Sequence, residues 1–99
     1  MASYAASKAA VVSFTRVLAA ELGPWDITVN SYAPGMLQTR LSGYADVPPA
    51  RKEQLLDTLS LRRWGDTQDI ASLLIFLASE PARYITGSFI DTSGGKFAV

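Results

Sequence analysis

The sequence predicts an α/β fold, part of a doubly wound parallel sheet. Its elements run helix, strand, long loop with a helix, helix, strand, and strands separated by helices are joined by right-handed crossovers into parallel pairs. Only two strands are legible, at Ile27–Ala33 and Ser88–Thr92, fewer than such a sheet needs, so the architecture reads as incomplete. At 99 residues the chain has room for one domain, expected as a single partial domain over 1–99.

The first helix is expected over Ser3 to Leu22, a run rich in Ala, Val and Leu. Gly23-Pro24 closes it, since glycine just past a helix and proline beyond it form a stop signal. Ser7, Lys8, Thr15 and Arg16 make no single polar stripe, and apolar side chains such as Val12, Phe14, Val17 and Leu18 cover most of the circumference. A helix apolar nearly all round is buried on more than one side, which points to a partner surface.

The second element, Ile27 to Ala33, is short, β-branched and bounded by Trp25-Asp26 and Pro34-Gly35, so it reads as a strand. A long connection follows over 36–66, the length of a lid or binding loop. Within it Pro48-Pro49 leads into a helix expected over Ala50 to Leu61, with Leu55, Leu56 and Leu59 on one face. Thr67 is the expected N-cap of the next helix, and Asp69 in the first turn suits the positive end of its dipole. Ile70 to Ala78 carries that helix to Ser79-Glu80-Pro81, and Ser88 to Thr92 gives the final strand, closed by Gly94-Gly95.

Composition narrows the chemistry. Nine Lys+Arg offset nine Asp+Glu, so neither a basic nucleic-acid footprint nor a polybasic membrane patch is expected. Cysteine and histidine are both absent, which excludes disulfides, thiolate catalysis, the commonest general base and the commonest metal ligands. No metal site is expected. The longest purely apolar stretch, Leu73 to Ala78, is far short of the ~20 residues that span a bilayer. With no signal-peptide pattern after Met1, the expected location is cytoplasmic.

Chemistry must then run on Tyr, Lys, hydroxyls, carboxylates or backbone groups. Tyr4 and Lys8, four apart on a helix, share a face. A phenol titrates near 10, and a neighbouring ammonium favours its ionised form, which makes a general acid/base without histidine. The same spacing also arises by chance on many helices. The second feature, Asn30-Ser31-Tyr32-Ala33-Pro34-Gly35, sits at the carboxyl end of a strand, where open α/β sheets bind ligands, although every strand must end in some turn.

Taken together, Tyr4-Ala5-Ala6-Ser7-Lys8 opening an apolar helix, then Asn30, Pro34-Gly35, Leu37 and Thr39, resemble the short-chain dehydrogenase/reductase family. Arg63-Trp64-Gly65, Asp69-Ile70-Ala71, Phe76-Leu77-Ala78-Ser79, Tyr84-Ile85-Thr86-Gly87 and Gly94-Gly95 extend the resemblance in register over nearly the whole chain. It implies the C-terminal half of a Rossmann-like domain, beginning at the family's Tyr-x-x-x-Lys motif, with 36–66 as substrate loop and lid.

The resemblance further implies an NAD(P)-dependent alcohol dehydrogenase or carbonyl reductase, with NAD or NADP as cofactor and a small alcohol or carbonyl compound as substrate. Tyr4 would be the catalytic acid/base. Lys8 would support it and bind the nicotinamide ribose. Pro34, Gly35 and Leu37 would line the nicotinamide pocket, and Thr39 would contact its carboxamide or a phosphate. The family's glycine-rich phosphate loop and catalytic serine have no counterpart in these residues, so the fragment alone is expected to be inactive. Where the family commonly has Val-Asp before the final glycines, this chain has Thr92-Ser93. Homo-oligomerisation through the first helix is expected, and the alternative function is a non-catalytic oligomerisation or regulatory fragment that binds an intact family subunit.

Overall fold

The computed structural model describes residues 1–98. They form two compact units, Met1–Tyr32 with Phe76–Ile90, and Ala33–Ile75 with the residues from Asp91 onward. Strands β1 (Ser31–Pro34) and β2 (Phe89–Thr92) pair in parallel, each giving its first half to one unit and its second half to the other.

The first unit is dominated by helix α1, Ala2–Leu22. Pro24 has no N–H to continue the ladder, so the helix passes into a 3-10 turn at Gly23–Trp25. The expected glycine stop differs in detail: Gly23 keeps right-handed helical angles, and Asp26 at φ +60 is the left-handed residue that ends the turn. Only Thr15 and Ala19 of α1 are buried, while Val11, Phe14 and Val17 are each about half exposed or more. Thr15 answers its burial by donating its hydroxyl to the Val11 carbonyl at 2.8 Å. Gly87, at φ +70, lies against Ala19, where an added Cβ would be 3.6 Å from the Ala19 methyl.

The strand expected over Ile27–Ala33 is shorter at its start, because the ladder gives way to side-chain bonds there. Thr86 Oγ1 accepts the Val29 N–H at 3.0 Å. Asn30 donates Nδ2 to the Ile85 carbonyl at 3.0 Å and accepts the Ser88 N–H on Oδ1 at 3.1 Å. Asn30 is therefore a structural clamp on the 85–88 loop. The 3-10 turn Glu80–Ala82 buries Ala82 almost completely.

The second unit carries the long connection. Helix α2 spans Pro49–Leu56, ending earlier than the expected Leu61. After Leu56 the bonds tighten: Asp57, Thr58 and Leu59 donate to the carbonyls three residues back, and Arg62 at φ +53 turns the chain. Leu59 is nonetheless buried, as the apolar face predicts. Helix α3, Thr67–Leu77, takes in the expected N-cap Thr67 as its first residue and ends one residue short of the expected Ala78, and its cap is Asp66 rather than Thr67. Asp66 Oδ1 accepts the Gln68 N–H at 2.8 Å while Asp69 Oδ2 accepts the Asp66 N–H at 2.8 Å, a reciprocal capping box built from aspartates. The carboxylate at the expected first-turn position thus does more than meet the dipole. Gly94 and Gly95, at φ +69 and +83, fold the C-terminal turn onto Ser60 and Leu61.

Candidate active site

Tyr4 and Lys8 lie in the first turns of α1, exposed to solvent. Helical spacing puts them one above the other, and the Lys8 ammonium stands 5.5 Å from the Tyr4 ring centroid. Ser7 between them turns inward on the helix, donating its hydroxyl to the Tyr4 carbonyl at 2.7 Å. Tyr4 is 59% exposed.

The other predicted residues follow one another in the second unit. Past Pro34, Gly35 is pressed onto Ser93: a Cβ at Gly35 would meet the Ser93 Cα at 2.6 Å and its carbonyl oxygen at 2.8 Å. Only glycine fits against that backbone, and Ser93 beneath it is buried. Next, Met36 accepts the Gly65 N–H at 2.8 Å and Gly65 accepts the Gln38 N–H at 3.1 Å, a parallel bridge that holds Leu37 between its two bonds. The Leu37 carbonyl accepts the Thr39 N–H at 3.0 Å and the Ser42 hydroxyl at 2.6 Å. Its own N–H has no partner among the described residues and points away from the bridge as a free donor. Thr39 Oγ1 accepts the Ser42 N–H at 3.1 Å and keeps its proton to give. The structure thus brings Tyr4 to Lys8 in one unit and sets Pro34, Gly35, Leu37 and Thr39 along one turn in the other.

Two cavities flank this turn. One, of about 350 Å³, is lined by Met36, Leu61, Arg63, Asp69, Asp91 and Ser93 among others. Arg63 crosses it to Asp69 at 3.1 Å. The Asp66 N–H and then the Arg63 guanidinium hold the Asp69 carboxyl below its ordinary value of 3.8. The other cavity, of about 310 Å³, is formed by Gln38–Arg40 and Gly43–Asp46. Tyr44 in its wall packs edge-on against Trp64, ring centroids 4.9 Å apart, and carries the Lys52 ammonium over its ring at 3.9 Å. Sequence reasoning missed this cluster: Tyr44 comes from a 3-10 turn, Lys52 from helix α2 and Trp64 from the loop before α3, and no periodic spacing links them. The Trp64 Nε1 and Ser31 Oγ atoms are buried without hydrogen-bond partners among the described residues.

Residues 1–96 match the family model described as enoyl-(acyl carrier protein) reductase. The chain belongs to the short-chain dehydrogenase/reductase family. Among curated family members, it is 42% identical over 95 residues to the 3-oxoacyl-[acyl-carrier-protein] reductase FabG of Pseudomonas aeruginosa, covering 96% of this chain and 38% of that protein. It is 42% identical over 92 residues to dehydrogenase/reductase SDR family member 4 of Sus scrofa, covering 93% of this chain and 33% of that protein. Among solved structures, a mutant 4-hydroxyisoleucine dehydrogenase complexed with NADH and succinate superposes with a TM-score of 0.91 at 39% identity, over 99% of this chain and 40% of that one. The chain therefore spans well under half the length of these relatives. The short-chain dehydrogenase/reductase assignment accords with the partial Rossmann-like α/β architecture of the described residues. No helix among them is long and apolar enough to cross a membrane.

Proposed function

We propose that this chain is the C-terminal portion of an NAD(P)-dependent oxidoreductase that interconverts an alcohol and a carbonyl compound, with 36–66 as its substrate loop and lid. The observation that carries the reading is the exposed Tyr4–Lys8 pair at the start of α1, in a chain that belongs to a family of oxidoreductases. Tyr4 gives its phenolic proton to a substrate carbonyl oxygen in reduction, and takes a proton from a hydroxyl in oxidation. Lys8 stabilises the negative charge left on the phenol oxygen and donates to ribose hydroxyls.

In the second unit the free Leu37 N–H and the Thr39 hydroxyl are donors suited to the carboxamide oxygen of a nicotinamide nucleotide; in the first, Lys8 holds no ion pair among the described residues. When bound, NAD or NADP supplies or accepts the hydride. Pro34 and Gly35 shape the wall beside it. The protein acts in the cytoplasm, and the fragment alone is inactive, since phosphate binding and the serine of the proton relay come from residues it does not carry.

The test is to add the dinucleotide-binding half of a relative to this chain and follow reduced-nucleotide absorbance with alcohol and carbonyl substrates. Hydride transfer that Tyr4→Phe abolishes, with nucleotide binding intact, supports the reading. Transfer that survives Tyr4→Phe would falsify it.

A second reading rests on the apolar surface of α1, where Phe14 is 65% and Val17 is 55% exposed. In that reading the chain is a non-catalytic oligomerisation or regulatory fragment, pairing through α1 with a second copy or with an intact family subunit. Failure to co-purify with either would remove it.

A further inference from the structure

The 310 Å³ cavity of the substrate loop has a chemistry that the acid/base pair does not account for. Arg40 lines it and, like Arg16 and Arg51, meets no carboxylate among the described residues, whereas Arg62, Arg63 and Arg83 are paired with Asp57, Asp69 and Glu80; of the three unpaired arginines Arg40 is the one that lines a cavity. Asp46 lines the same cavity and holds no cation. Gly43, at φ +66, makes the turn between them, with its N–H on the Arg40 carbonyl at 3.1 Å and its own carbonyl on the Asp46 N–H at 2.9 Å. Tyr44 is held from two sides by Trp64 and the Lys52 ammonium, so its part of the wall is formed in advance of any ligand.

A guanidinium offers five donors in a planar fork that fits the two oxygens of a carboxylate or phosphate. Asp46 decides between them. A phosphate dianion would face its negative charge, while a monocarboxylate puts one charge on Arg40 and leaves Asp46 to accept from a hydroxyl or ammonium group of the same molecule. The volume suits a molecule of a few carbons. We propose that this cavity binds a small organic monocarboxylate through Arg40, and that the substrate of the oxidoreductase carries that carboxylate. The second half rests on the oxidoreductase reading, and the binding itself does not.

The probe is lactate, titrated into the chain in a Trp25→Phe background so that Trp64, packed on the cavity wall, reports by fluorescence. Saturable binding, weakened at least tenfold by Arg40→Gln and absent for ethyl lactate, is the expected result, with circular dichroism showing both variants folded. Binding that Arg40→Gln leaves unchanged overturns the proposal, as does equal binding of the uncharged ester. Tighter Arg40-dependent binding of inorganic phosphate or NADH overturns it too, since the fork then belongs to the nucleotide. Turnover separates the two readings. Arg40-dependent lactate binding without hydride transfer by the complemented enzyme retains the site and removes the oxidoreductase reading. Tyr4-dependent transfer on uncharged alcohols, indifferent to Arg40→Gln, does the reverse.

Discussion

Replacing Gly95 by alanine tests how the C-terminal turn closes on Ser60 and Leu61. Gly95 sits at φ +83, where an L side chain is strained, and the new Cβ would lie 2.5 Å from the Ser60 Cβ and 2.6 Å from its Oγ. The left-handed placement costs about 1–2 kcal/mol. Overlap with a packed neighbour adds roughly 1–3 kcal/mol. Gly95→Ala is therefore expected to destabilise by about 2–5 kcal/mol, a fall in Tm on the order of 10–30 °C for a chain of this size.

Thermal and urea unfolding, followed by circular dichroism, measure the loss. A double-mutant cycle with Ser60→Gly separates its causes. Alone, Ser60→Gly removes the 3.0 Å bond from its hydroxyl to the Gly95 carbonyl, worth about 0.5–1.5 kcal/mol, and adds chain entropy. Combined with Gly95→Ala it also removes the overlap, so the pair should couple favourably by about 1–3 kcal/mol. A Gly95→Ala chain within about 0.5 kcal/mol of the parent, or a cycle with no coupling, would refute the geometry.

Three further outcomes follow from the same structure. Gly35→Ala presses a Cβ onto the backbone of Ser93, which cannot step aside, so no substitution at Ser93 should rescue its loss of about 1–3 kcal/mol in urea unfolding. Asn30→Ala strands the Ile85 carbonyl and the Ser88 N–H together and should lose roughly 2–4 kcal/mol, whereas Asn30→Asp keeps the acceptor and loses less. The Asp69 carboxyl is held below its ordinary 3.8, so its contribution to stability is full above that value and disappears as pH falls through the folded-state value. Unfolding curves of the parent and Asp69→Asn should therefore converge in acid, and curves that stay parallel from neutral pH downward would contradict the pairing with Asp66 and Arg63.

The elements were legible where local physics alone decides them. The apolar run to Leu22 and the proline after it mark α1, and the leucine spacing finds the buried Leu59 even though the helix around it ends early. The misplacements share one cause, which is bonding that the linear pattern does not show. Ile27–Asn30 reads as β-branched strand, yet the Thr86 hydroxyl and the Gly87 N–H satisfy the Val29 backbone, and Asn30 turns its amide onto the backbone of that same loop, more than fifty residues away. Thr67 and Asp66 are both good caps, and the choice falls on Asp66 because Asp69 can answer it. At the site, Tyr4 and Lys8 were legible because helical spacing forces them together. The Lys52–Tyr44–Trp64 cluster was not, because tertiary folding alone assembles it.

The exposure of the Tyr4–Lys8 pair sets a limit on what it can do unaided. The Lys8 ammonium lies 5.5 Å from the Tyr4 ring centroid, and a unit charge at that distance stabilises negative charge gathered on the ring by about 0.8 kcal/mol in water and about 3 kcal/mol at an effective dielectric of 20. The difference is about 40-fold in a rate, and covering the surface around α1, not altering the pair, would supply it. In the chain as it stands, Lys8→Met should slow electrophilic nitration of Tyr4, read by site-specific mass spectrometry, by only about three- to fourfold. A loss above about thirtyfold would mean that the ammonium already acts through a low dielectric, and that the open face of α1 does not set the strength of the interaction.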